Sequence, residues 1–130
     1  MKMDPLWVST VVGGVRKDTG EVFLGTTDLY GTKVESNFLL TGLSLYFCQV
    51  LMQNEWRADM TEEEARKLLT DCHRVMFYRD KKAHDEMTIC KITQQGGVEI
   101  GEKMRFDSNW DLNWYKEKTN EFWRPMRIRI

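Results

Sequence analysis

The sequence predicts an α+β domain, and three observations carry that expectation. Runs of β-branched residues separated by turn signals open the chain. Two stretches of helical period fill its middle, and alternating runs return after residue 80. Strands and helices in separate blocks argue for helices packed on a largely antiparallel sheet rather than for alternating βαβ units.

Each element has a local reason. "WVSTVVGGVRK" (7–17) is rich in β-branched residues and breaks at "KDTGE", where Gly20 signals a turn. "EVFLGTTDLYG" follows, so the two runs read as a hairpin. "TKVESNFLLTG" is a third short extended run ending at Gly42. Val11 and Val12 are adjacent and therefore point to opposite faces, which predicts a first strand covered on both sides. From Leu43 the period changes. "LSLYFCQVLMQNEW" spaces Leu43, Phe47, Val50 and Leu51 three or four apart, predicting one helix with a wide apolar face. In the next helix Thr61 and Glu64 form a capping box. The acidic Glu62-Glu63-Glu64 turn suits the positive end of the helix dipole. Ala65, Leu68, Leu69, Cys72, Val75 and Met76 then mark its packing face. "EMTICKIT" alternates as a strand, and "QQGG" turns it into a second strand, "VEIGEKMRF". Residues 112–130 hold no sustained period, contain Pro125 and end in Arg127-Ile128-Arg129-Ile130. They read as an arm beyond a domain of residues 1–111.

Composition excludes several classes. The chain has 130 residues with 42% apolar and 30% charged, which fits one globular domain. A net charge of −1 offers no field to attract nucleic acid or an anionic membrane. No apolar run approaches the roughly 20 residues of a membrane span, and the first residues lack the apolar core of a secretory signal. Cys48, Cys72 and Cys90 form no CxxC pair, so reduced, buried thiols in an intracellular protein are expected.

Candidate chemistry is sparse. His73 and His84 have no ligand-like neighbours at metal spacing, so neither a metal nor a cofactor is expected. Gly13-Gly14 lies within a strand pattern and belongs to no phosphate-binding fingerprint. The arm concentrates Trp114, Phe122, Trp123, Arg124, Arg127, Ile128, Arg129 and Ile130. Such residues anchor protein interfaces, and aromatics beside arginines can also stack on single-stranded nucleic acid. Glu117 and Glu121 among them, and the absence of a basic domain behind them, favour a protein partner. Asp80 stands at the end of the second helix, where an aspartate can orient a catalytic group, cap the helix or be solvated.

Taken together, "DPLW" (4–7), "VVGGV" (11–15), "FLGTTDLYG" (23–31), "TG" (41–42), "FYRD" (77–80), "GVEI" (97–100) and "NWD" (109–111) resemble the second half of a proteasome β subunit. Within that family "DPLW" and "NWD" point to the non-catalytic type 4, at the seventh β position of the ring. The resemblance implies a four-layer α-β-β-α sandwich of the N-terminal-nucleophile hydrolase type. This chain would supply three strands of one sheet, the helix pair on an outer face and two strands of the other sheet. The N-terminal half, with the threonine nucleophile that active members use, would be absent, leaving Val11, Val12, Phe23 and Leu24 partly uncovered.

The resemblance also speaks to Asp80. Active members carry Tyr-Arg-Asp here, matched by Tyr78-Arg79-Asp80. They carry a serine after the glycine that opens the first helix, where this chain has Leu43. Three residues beyond the aspartate they have another serine, where this chain has Ala83. Neither Leu43 nor Ala83 can hold a threonine amine. Asp80 is thus expected to be vestigial, fixing the helix-to-strand turn and pairing with a neighbouring base. The implied protein is a silent subunit of the core particle, acting in ATP- and ubiquitin-dependent degradation in cytoplasm and nucleus. Its implied partners are neighbouring β subunits of its ring, α-ring subunits, and catalytic β subunits of the opposite ring, reached by the arm. The competing expectation is a stand-alone module that binds protein or nucleic acid through the arm.

Overall fold

The computed structural model describes residue 4 and residues 6–109. The first strands form as expected. β1 (Thr10–Val15) pairs antiparallel with β2 (Val22–Thr27), and β2 pairs antiparallel with β3 (Lys33–Glu35), in the order β1-β2-β3. The first turn closes between Arg16 and Glu21, with Gly20 at φ 73°, a left-handed conformation that a Cβ would strain. At the second turn Asp28 Oδ1 accepts the N–H groups of Tyr30 and Thr32, both at 2.9 Å. The Thr32 N–H above all lowers the Asp28 pKa.

The single helix expected after Gly42 is two. α1 (Ser44–Phe47) and α2 (Gln49–Glu55) meet at Cys48, whose φ of −109° and ψ of −7° interrupt the helical path. Cys48 is wholly buried, and its thiol donates to the carbonyl of Cys72 at 3.3 Å. α3 (Glu62–Arg79) starts as the sequence requires. Thr61 Oγ1 accepts the Glu64 N–H, and Glu64 Oε2 accepts the Thr61 N–H at 2.8 Å. The Thr61 N–H, foremost among these partners, holds the Glu64 carboxyl below its usual range.

The expected packing faces need correction. The core is Cys48, Met52, Leu68 and Cys72, with Phe38, Leu40, Leu51, Met60, Val75 and Met76 against it. Leu43, Phe47 and Val50 are exposed, so of the expected first-helix stripe only Leu51 packs inward. Apolar residues run nearly round this helix pair, and periodicity does not single out the face that α3 covers. Leu69, expected to pack, is also exposed.

The two strands expected after the helices are each divided. β4 (Glu86–Met87) pairs with β7 (Met104–Arg105), and β5 (Cys90–Thr93) pairs with β6 (Gly97–Ile100), all antiparallel. Cys90 faces Ile100 while Met87 faces Met104, so two residues on one side oppose three on the other. This is a one-residue bulge that bends a single long hairpin. Gly101 donates to the Ile89 carbonyl at 2.9 Å, and a Cβ on Gly101 would lie 2.7 Å from that oxygen. Two acidic groups fasten the hairpin. Lys91 Nζ lies 2.6 Å from Glu62 Oε2, tying β5 to α3, and Glu86 is held by Lys103 and Arg105. Lys103 first and Arg105 second bring the Glu86 pKa down to about 2.

The expected α+β class is present, and the expected double cover of β1 is not supplied by these residues. Val11 and Val12 are 42% and 52% exposed, although consecutive strand residues face opposite ways. Cys90 is exposed as well, so only two of the three cysteines are the buried thiols expected. Burial pushes the Cys72 thiol up to about 12, with the adjacent Cys48 adding to the shift.

Candidate functional site

Asp80 ends α3, and its contacts are local. Its N–H donates to the Met76 carbonyl at 2.8 Å, closing the last helical turn. Its Oδ1 accepts the Lys82 N–H at 2.9 Å, and its carbonyl accepts the Ala83 N–H at 3.0 Å. The carboxylate therefore braces the turn from helix to β4, the role an Asx turn serves in general. The expected pairing of Asp80 with a base is not found among the described residues.

Ala83 sits in that same turn, and Leu43 does not. Leu43 precedes α1 with no side-chain capping bond, and it is 48% exposed. The hydroxyl next to it, on Ser44, accepts the Thr41 N–H at 3.0 Å and donates to the Thr41 carbonyl at 2.6 Å. Thr41, Gly42 and Leu45 line an open groove of about 700 Å³ with Val34, Phe38 and Leu40, to which neither Asp80 nor Ala83 contributes. Asp80 and Ala83 share one turn, and Leu43 stands at the N-terminus of α1. Neither Leu43 nor Ala83 offers a side-chain donor, acceptor or nucleophile.

A second constellation, not anticipated from the sequence, lies on the C-terminal half of α3. Phe106 is buried and meets the rings of His73 and Phe77 edge to face, at 5.6 and 5.3 Å. Arg74 lies 5.6 Å over the same ring. His73 Nε2 is buried without a hydrogen-bond partner among the described residues. Beyond Phe106 the Tyr78 hydroxyl accepts the Asn109 N–H at 2.6 Å and donates to the Asn109 carbonyl at 3.2 Å. These partners are about thirty positions apart in sequence, so no local period connects them. The only signal was the presence of both residues in matched segments, "FYRD" and "NWD".

The arm residues Trp114, Phe122, Trp123, Arg124, Arg127, Ile128, Arg129 and Ile130 lie outside the described residues. Among the described residues no group of three or more His, Cys, Asp or Glu is placed to hold a metal ion. No helix among them is long and apolar enough to cross a membrane.

Comparison with known proteins gives this architecture its context. A family model described as "Proteasome subunit" matches residues 1–92. "Proteasome subunit beta type-4" of Arabidopsis thaliana is 32% identical, covering 91% of this chain and 47% of that protein. The protein of that name from Xenopus laevis is 35% identical, covering 85% and 46%. "Proteasome subunit beta type-7" of Saccharomyces cerevisiae is 26% identical, covering 85% and 44%. The chain spans about half the length of the curated relatives it matches. With well over half its residues matched by the family model and type-4 proteins among its relatives, the chain belongs to the proteasome subunit family, resembling its β type-4 members.

Proposed function

We propose that the chain is a non-catalytic structural β subunit of the proteasome core particle. The carrying observation is its similarity to type-4 β subunits across most of its length. Three local features support the silent role. The Asp80 carboxylate accepts from its own turn, and Leu43 and Ala83 stand where active members carry serines. With leucine and alanine at those two positions, the hydroxyls that would orient a threonine amine are lacking.

Such a subunit acts by occupying one place in a closed ring, where each heterologous contact must be specific. The exposed apolar residues on both faces of the β1–β3 sheet and along α1 and α2 are the kind of surface that partner subunits, or the rest of a longer fold, cover. In this reading residues 1–111 form the ring-building part, with neighbours in the β ring and in the α ring. Residues 112–130 form an arm reaching catalytic β subunits of the opposite ring, in cytoplasm and nucleus. Burying Trp123, Ile128 and Ile130 would each stabilise that contact by roughly 1.5–3 kcal/mol, offset in part by ordering of the arm. The arginines would steer it to acidic grooves.

The test is deletion of residues 113–130 followed by timed native electrophoresis of assembling particles. The proposal predicts slower joining of half-particles with unchanged peptidase activity per completed particle. Unchanged joining would reject the arm's role.

A further inference from the structure

We propose that Cys48 and Cys72 form a reversible disulfide site, oxidised by a small hydroperoxide, that pins the break between α1 and α2 to α3.

The two thiols meet inside the helical core. Cys48 is wholly buried and Cys72 is 7% exposed, and with Met52 and Leu68 they make up that core. The Cys48 thiol donates to the Cys72 carbonyl at 3.3 Å, across 24 positions of sequence. Each thiol also has the other as a hydrogen-bonding partner, which sets the two sulfurs side by side. Cys90 stands apart, exposed on β5 and outside this core.

Little shields the pair. α1 has four residues, none of them buried, and Leu43 gives its start no side-chain bond. α2 buries only Met52. Segments with so few buried contacts belong to the low-stability end of a fold and open locally. While the contact is closed, thiols buried this deeply stay protonated and unreactive. When the junction of α1 and α2 lifts, both sulfurs meet water together and regain their ordinary acidity.

The peroxide is then the sole oxidant required. One thiol loses its proton, and its thiolate attacks a peroxide oxygen. The S–O bond forms, the O–O bond breaks, and the departing hydroxide takes up that proton as water. The second thiol loses its proton and attacks the sulfenic sulfur. The S–S bond forms, the S–O bond breaks, and the second hydroxide leaves as water with the second proton. Two thiols are oxidised to one disulfide, and one hydrogen peroxide is reduced to two waters. The cross-link closes a loop from the helix break to the middle of α3 and removes the open states from the helical layer.

The test uses the full chain carrying Cys90→Ser, isolated from its own cells in whatever assembly holds it. It is treated with hydrogen peroxide, denatured in an alkylating agent and weighed as unreduced peptides. The expected product is a linked Cys48–Cys72 peptide pair, lighter by two hydrogen atoms than the free peptides and separated by dithiothreitol. Hydrogen exchange at the α2 amides should then slow by about tenfold or more and stay unchanged in β1–β3. Recovery of both cysteines alkylated, or each carried separately to sulfinic acid, overturns the site. A disulfide that forms but leaves α2 exchange unchanged or faster overturns the pinning.

Discussion

The helical layer and the β1–β3 sheet of this chain are built to different degrees. Between α1, α2 and α3 lies a closed contact, with Cys48, Met52, Leu68 and Cys72 all at or below 7% exposure. The sheet has a full antiparallel register, yet Val12, Val22, Phe23 and Val34 are each more than 40% exposed. Backbone ladders satisfy the peptide groups of a sheet whatever covers its faces. Side-chain burial depends on a second layer. The difference teaches that backbone pairing here forms without a covering layer, whereas the core is complete only where these residues supply both layers. A chain spanning about half of its relatives' length has that character.

The largest expected effect sharpens this contrast directly. Leu68→Ala should lower stability by about 2–5 kcal/mol in denaturant unfolding, because it opens a cavity in the helical core. Val12→Ala should change it by less than about 0.5 kcal/mol, since little is buried around it. Equal losses at the two sites would show that the sheet face is covered after all.

Next comes the bent hairpin. Gly101→Ala sets a Cβ 2.7 Å from the Ile89 carbonyl oxygen and should cost about 1–3 kcal/mol, with loss of protection in β4–β7. Retained stability would mean the bulge relaxes freely. Thr61→Ala removes the capping hydroxyl of α3 and should cost about 1 kcal/mol, read as a lower unfolding midpoint.

The smallest effect is electrostatic. Glu86 has its folded pKa lowered, so its contribution is present above the unfolded value near 4.5 and is lost as pH falls toward about 2. Stability measured across that window should fall less steeply in Glu86→Gln than in the parent chain. Identical acid limbs would remove Glu86 from the account.

The comparison also explains what the sequence could and could not disclose. The first hairpin was legible because β-branched runs flank a glycine turn, and α3 because Thr61 and Glu64 announce its start. Both are local signals. The break at Cys48 was hidden because no glycine, proline or turn signal marks it in the sequence. The inward face of α1 and α2 was misread because Leu43, Phe47 and Val50 are as apolar as the residues that pack. The bulge was hidden because it depends on the register of two strands, not on either one. At the candidate site, the matched Tyr78-Arg79-Asp80 and the unmatched Leu43 and Ala83 were all readable. The turn made by Asp80 was anticipated as well. The grip of Tyr78 on Asn109 was not, since it exists only after the hairpin returns to α3.

The most direct measurement is native mass spectrometry of the tagged chain isolated from its own cells, with the subunit then released and weighed. The account predicts that it is recovered within a very large particle containing many homologous subunits, whose surfaces cover the open sheet and outer helix faces. Recovery as a lone species near 15.4 kDa would contradict it.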